Sequence, residues 1–196
     1  MNTIKAPQQK RAVKTREKLL NSALELFLSN GFYNITSKDI SKHAGVSIGV
    51  FYNYFRDKNK IYCEVLEQSY LISNSATKTL LNNMSESTIT NREYLYKYSY
   101  DAIKNVEGNL TFFLERDKIR SDYKEINDLL VNLDMNYILS LSKFLKCEDN
   151  LIKAKLLFET TNRNVLVSLS ITDEEERKKY IIALVDMICE YYLSLL

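Results

Sequence analysis

Residues 35–58 decide the fold of this chain, and they read ITSKDISKHAGVSIGVFYNYFRDK. Thr36 and Asp39 have the spacing of a capping box, which predicts a short helix that ends at the following glycine. Ser47 is a second cap residue and predicts another helix, through Phe55. Two short helices joined by a glycine-containing turn have the spacing of a helix-turn-helix.

Longer helices are predicted on both sides of this stretch. An apolar face with helical periodicity indicates a helix over residues 14–30, with Leu20, Ala23, Leu24 and Phe27 on that face. Asp57 caps a helix that is predicted to begin at Lys58 and to run to Met84. Helices as short as the two middle ones are unstable alone in water, so we expect them to pack on the first helix.

The composition of the whole chain favours an all-α protein of about nine helices. The 196 residues include only 4 Gly and 1 Pro, the residues that hairpins and βα loops need. Hydrophobic residues make up 45% and charged residues 27%, as in ordinary globular proteins. The longest apolar run, Tyr180–Val185, is far shorter than a membrane span of about 20 residues, and no signal peptide is expected.

Charge is distributed unevenly along the chain. Residues 1–60 carry a net charge of +7, whereas the remaining residues carry −5, so that the total is +2. This asymmetry predicts an N-terminal module that meets a polyanion. Nucleic acid is the first candidate, and an anionic membrane surface is the second.

Cysteine and histidine usage argues against disulfides and metal sites. Cys63, Cys147 and Cys189 are odd in number and widely spaced, which indicates reduced thiols in a cytoplasmic protein. A single histidine, His43, excludes a His-rich metal site. We therefore expect no metal and no cofactor.

The sequence also argues against an enzyme. It has no phosphate-cradling glycine loop and no cluster of metal-ligand residues. The paired acids Glu115 and Asp117 flank Arg116 and Lys118, and this alternation indicates a solvated charged face rather than a catalytic pair.

Residues 35–58 resemble the DNA-binding domain of the TetR family of transcriptional regulators. The resemblance rests on the Ala-Gly-Val-Ser turn at 44–47, on Gly49, on the Tyr-x-Tyr-Phe pattern at 52–55 and on Lys58, and it extends over about residues 14–62. Asn59-Lys60 departs from the acidic residues that often follow that lysine.

The resemblance implies three segments: a flexible basic arm over 1–13, a helix-turn-helix DNA-binding domain over 14–62, and an effector-binding and dimerisation domain over 63–196. It also implies a homodimeric repressor that binds a palindromic operator in double-stranded DNA and is released by a small apolar or aromatic effector. A ligand-independent DNA-organising or protein-binding member of the same fold stays open as an alternative.

The resemblance further places the third helix in the major groove. There Ser47, Ile48, Gly49, Val50 and Asn53 would meet base edges, although core packing is an equal alternative for Val50. The residues implied to bind phosphates are Thr36, Lys38, Tyr52, Tyr54 and Lys58. Lys10, Arg11 and Lys14 of the arm either reach the neighbouring DNA or are only solvated.

The last two helices are predicted over about 149–168 and, with Thr172 as cap and Glu175 closing a capping box, from there to Leu196. The final helix is apolar most of the way round, which indicates covering on two sides. A partner subunit would supply one side; burial within a single chain is the alternative. The residues expected at the dimer interface are Val165, Ile181, Leu184, Val185, Ile188 and Tyr192.

The middle of the chain is rich in aromatic residues, and in the family this region encloses the effector. We expect Tyr94, Tyr98, Phe112 and Phe158 as pocket walls and Asn162 as a polar anchor. Ordinary core packing is the alternative for each of these rings.

Overall fold

A computed structural model describes residues 5–84, 93, 100, 110–144 and 151–193 of the chain. Within these residues it contains nine helices and no strand, in agreement with the all-α prediction. The helices are α1 (Lys5–Asn30), α2 (Ser37–His43), α3 (Ile48–Tyr52), α4 (Lys58–Met84), α5 (Leu110–Leu114), α6 (Arg116–Asp122), α7 (Lys124–Phe144), α8 (Leu151–Ser170) and α9 (Glu174–Leu193).

Helix α1 begins at Lys5, not near Lys14, so the segment predicted as a flexible arm is helical over residues 5–13. Pro7 does not prevent this, because it lies in the first helical turn, where a backbone N–H has no acceptor within the helix. The polar sequence that follows lacks an apolar face, which is why periodicity alone did not extend the helix this far.

The two short helices are anchored as predicted, but α3 is shorter than predicted. Thr36 and Asp39 form the reciprocal capping box of α2. Helix α3 ends at Tyr52 instead of Phe55, because tighter turn bonds follow: Asn53 N–H donates to the Val50 carbonyl at 3.2 Å. This turn allows both Phe51 and Phe55 to be fully buried.

A first hydrophobic core joins the helix-turn-helix to the helices that follow it. Its aromatic centre is formed by Phe27, Phe32 and Tyr62, with ring centroids 4.7–6.0 Å apart. Phe112 of α5 and Ile126 of α7 belong to the same core. The core is therefore continuous across the boundary predicted at residue 62, and the helix-turn-helix packs directly against α5–α7.

A second core is formed by α7, α8 and α9. Helix α9 begins one residue later than its predicted cap implied. The Asp173 carboxylate, not the Thr172 hydroxyl, accepts from the Glu176 N–H at 2.7 Å.

Cys63 lies in the first core and Cys189 in the second. Among the described residues, no helix has both the length and the apolar content needed to cross a bilayer.

Candidate nucleic-acid interface

Helix α3 presents one arc to solvent while its other side is held in the first core. Its Ser47 cap hydroxyl accepts from the Val50 N–H at 3.3 Å, and Phe51 is completely buried. Two other residues of the helix face solvent: Ile48 is 40% and Tyr52 57% exposed. These two residues are one helical turn apart and lie on the same face.

The exposed arc of α3, as we define it, consists of Ile48, Gly49 and Tyr52 together with Asn53, the residue that follows the helix as its C-cap. Val50 is half-buried beside it, so it serves partly as the core residue that the alternative interpretation expected. Ile48 can contact a thymine methyl group, and the Asn53 amide can pair with an adenine edge. Gly49 has no side chain, so the backbone can approach the DNA closely there. The arc therefore has the chemistry of direct base readout.

Helix α2 packs against α3, and Thr36 and Asp39 cap its N-terminus by hydrogen bonds to each other. The Asp39 N–H donates to the Thr36 hydroxyl at 3.2 Å, and the Thr36 N–H donates to the Asp39 carboxylate at 3.0 Å. Hydrogen bonds from Thr36 lower the pKa of Asp39. Lys38 is exposed on the same turn, so this helix can offer a side-chain ammonium to a phosphate.

Three residues implied to bind phosphates, Tyr52, Tyr54 and Lys58, differ in their surroundings. Tyr52 is exposed, whereas Tyr54 is half-buried and packs against the first core. The Lys58 ammonium donates to the Phe32 carbonyl at 2.9 Å and lies 4.0 Å from the centre of the Phe32 ring. Burial lowers the pKa of Lys58. Since an ammonium has three donors, two remain for other acceptors.

Three polar contacts connect the helix-turn-helix region with α5–α7. The Phe32 N–H donates to the carboxylate of Glu115, at the corner between α5 and α6. The Tyr33 hydroxyl donates to Asp122 at 2.6 Å. The exposed Arg56 donates to Glu125 at 3.5 Å. Movement of α6 would therefore be transmitted to the end of α1 and to the loop that leads into α2.

The residues predicted to line an effector pocket do not converge in the described part of the chain. Tyr94 and Tyr98 lie outside the described residues. Phe112 is buried in the first core, with its ring 5.9 Å from that of Tyr62. Phe158 is half-buried beside the second core, in ring contact with Tyr137, and Asn162 is exposed.

Most residues predicted at the dimer interface lie inside the second core of the same chain. These are Val165, Ile181, Leu184, Val185 and Ile188; the side chain of Tyr192 lies outside the described residues. The sequence analysis missed the opposite surface, where Ile152, Leu156 and Val167 are exposed on one face of α8 and Met187 is exposed on α9. The exposed apolar residues of α8 also have helical spacing, so periodicity could have found them.

Comparison with known proteins places the helix-turn-helix in a defined group. Residues 19–65 match the family model of bacterial regulatory proteins, tetR family. The chain is 30% identical over 101 residues to the Transposon Tn10 TetC protein of Escherichia coli, covering 50% of this chain and 51% of that protein. It is 28% identical over 131 residues to the HTH-type transcriptional regulator QacR of Staphylococcus aureus, covering 63% of this chain and 64% of that protein.

The similarity thus spans about half the length of TetC and less than two thirds of QacR. The fold extends further: the reduced form of E. coli NemR superimposes with a TM-score of 0.68 at 20% identity, over 87% of this chain and 95% of that structure. QacR is named as a transcriptional regulator, not as an enzyme, which agrees with the exclusion drawn from the sequence. Residues 19–65 thus carry a helix-turn-helix that matches the tetR family of bacterial regulatory proteins, and the chain as a whole shares the fold of the NemR structure.

Proposed function

We propose that this chain is a transcriptional regulator that binds double-stranded DNA by inserting α3 into the major groove. The exposed arc of α3, set against the completely buried Phe51, is the observation that carries the proposal. A helix of five residues is unstable in isolation, so its orientation is set by the core beneath it. Base-reading side chains are thereby presented on a rigid support, while Lys38 and Tyr52 contact the flanking phosphates.

The protein acts as a homodimer on a palindromic operator, because one helix-turn-helix contacts too few bases for a specific site. The surface proposed for pairing is the outer face of the last two helices, formed by Ile152, Leu156 and Val167 of α8 and by Met187 of α9. On α8 this face also carries the exposed Glu159 and Arg163, one turn apart. Antiparallel pairing about a two-fold axis would bring these opposite charges together between the two copies.

The regulator is a cytoplasmic repressor that a small molecule releases from DNA. Support for a mechanical route comes from the contacts of Glu115, Asp122 and Glu125 with the helix-turn-helix region. Displacement of α6 by an effector with an apolar or aromatic body would change the positions of the two α3 helices. The spacing between them would then differ from about 34 Å, one turn of DNA. A coupling of a few kcal/mol is enough for such release.

Selection from a pool of random DNA duplexes with the purified chain tests the proposal. We expect enrichment of one short palindrome, followed by tight binding of that duplex in a fluorescence-anisotropy titration. Ile48→Glu places a negative charge on the exposed arc of α3 and should abolish binding without unfolding the protein. Leu71→Glu, at a 69% exposed position on α4, is the matched control and should bind normally.

Each outcome of this selection separates the candidate functions. Binding of all duplexes with equal affinity would favour the DNA-organising alternative. Absence of binding to any duplex would contradict the proposed function, and equal binding by the Ile48→Glu and wild-type proteins would show that α3 is not the reading helix.

A further inference from the structure

Four side chains from three helices form a compact polar cluster behind the helix-turn-helix. Tyr70 comes from α4, Arg116 and Arg120 from α6, and Asp134 from α7. Arg116 donates to the Asp134 carboxylate and to the Tyr70 hydroxyl, and Tyr70 in turn donates to Asp134. Arg120 donates to the second oxygen of the same carboxylate. We call these four residues the arginine cluster.

The arginine cluster holds more positive than negative charge. Two guanidinium groups share the single carboxylate of Asp134, which leaves one cationic charge without a counter-charge inside the cluster. Their side chains are only 25% and 24% exposed, so water neutralises this excess incompletely. A partly desolvated charge without a partner is destabilising, which makes the cluster a candidate for a binding site.

One atom of the cluster has an unused hydrogen-bonding capacity. Within the described parts of the chain, Nε of Arg116 is buried and has no hydrogen-bond partner. Leaving a buried donor unpaired costs about 1–3 kcal/mol, and more for a charged group. The excess charge and the unpaired donor are independent observations, and both are relieved by the same kind of group, an anion that accepts hydrogen bonds.

We propose that the arginine cluster binds the oxyanion of the effector, a carboxylate or a phosphate on an otherwise apolar molecule. Guanidinium groups offer a planar fork of donors that matches the two oxygens of either anion. The quarter of each arginine side chain that stays exposed leaves a route for the ligand. The inference rests on the proposed function, since it names the chemistry that the effector must carry.

The position of the cluster explains how binding there would reach the DNA-binding region. Arg116 follows directly after Glu115, whose carboxylate holds the Phe32 N–H. Arg120 lies two residues before Asp122, which accepts from Tyr33. An anion that draws the two arginines away from Asp134 would therefore move the same helix, α6, that contacts the end of α1.

The test uses the full chain and three probes with the same apolar tail: octanoate, monooctyl phosphate and the uncharged 1-octanol, at constant ionic strength. Binding is measured by calorimetry and by the shift in melting temperature. We expect at least one anion to bind roughly tenfold to a hundredfold more tightly than octanol, as charged hydrogen bonds allow. Comparison of the two anions distinguishes a carboxylate effector from a phosphorylated one.

Variants locate the site. Arg116→Gln and Arg120→Gln should remove the preference for the anion, whereas Lys178→Gln, at an exposed position of α9, should not. Asp134→Asn should strengthen anion binding, because the carboxylate competes for the same donors; a purely structural cluster would give no such gain. Arg116→Lys, which keeps the charge but loses the fork, replaces Arg116→Gln if that protein does not fold.

Equal binding of the anions and octanol, or anion binding that none of these variants changes, would overturn the inference. Binding of the selected DNA duplex is measured with the same preparations. Specific DNA binding without an anion preference would reject the inference and leave the proposed function standing. Failure of the wild-type chain to bind DNA would reject the proposed function, irrespective of the result with the anions.

Discussion

A β-carbon on Gly31 would lie 2.6 Å from a carboxylate oxygen of Glu115, closer than such atoms approach each other. Gly31 also has φ +79°, in the left-handed region that disfavours other residues. The glycine thus ends α1 and at the same time leaves room for Glu115 to accept the Phe32 N–H. This contact fixes the corner between α5 and α6 on the helix-turn-helix region.

Alanine substitution at two glycines should separate these two roles of Gly31. Gly45 has φ +67°, but a β-carbon added there would meet nothing within 4 Å, so Gly45→Ala should lose only about 1–2 kcal/mol of unfolding free energy. Gly31→Ala should lose about 1 kcal/mol more, because Glu115 must move and leave the Phe32 N–H unpaired. Urea unfolding measures both values. Equal losses would mean that the Glu115 contact contributes nothing to stability.

Asn53→Ala should relax the sequence preference at one base pair. Its exposed amide lies on the exposed arc of α3, and loss of a paired base contact costs about 1–3 kcal/mol at that position. Competition titrations with duplexes changed at each base pair would show the effect. A uniform loss across all duplexes would assign Asn53 to the phosphate backbone instead.

Lys38→Ala should weaken binding to every duplex alike and reduce the slope of log affinity against log salt by about one. Lys38 is exposed on the first turn of α2 and carries the charge that a phosphate would neutralise. Lys78→Ala is the control, because this exposed lysine lies about 30 Å along α4 from Lys58. A change in slope for both variants would indicate a nonspecific charge effect.

Glutamate substitutions on two faces of the last helices should have different consequences. Leu156→Glu, at a 54% exposed position of α8, should dissociate the dimer and leave the helical content unchanged. Ile188→Glu buries an unpaired charge inside the second core and should unfold that region, at a cost of several kcal/mol. Sedimentation and circular dichroism distinguish the two effects. A dimer that survives Leu156→Glu would place the pairing surface elsewhere.

Acid should weaken the cap of α2. The pKa of Asp39 is lowered in the folded protein by hydrogen bonds from Thr36, so its carboxylate stabilises the fold above the ordinary pKa of 3.8. This contribution is lost as the pH falls through the lowered value. The melting temperatures of the wild-type and Asp39→Asn proteins should therefore differ at pH 6 and converge toward pH 2. A constant difference over this range would contradict the assignment.

Local features of the sequence were sufficient to predict the helix-turn-helix. The Thr36–Asp39 capping box, the Ser47 cap and the start of α4 at Lys58 are all confirmed, because each depends on residues within one helical turn. The difference in net charge between residues 1–60 and the rest of the chain follows from the composition of these segments alone.

Tertiary structure alone decided which of two apolar faces is buried when a helix carries both. On α9 the residues around Val185 are buried in the second core and Met187 is exposed. Periodicity alone does not predict which of these two apolar faces is buried. It likewise turned Lys58 toward the Phe32 carbonyl and brought Arg116, Arg120 and Asp134 together from separate helices. Such choices depend on packing between segments distant in sequence, where burial and charge pairing are set by neighbours that no local pattern specifies.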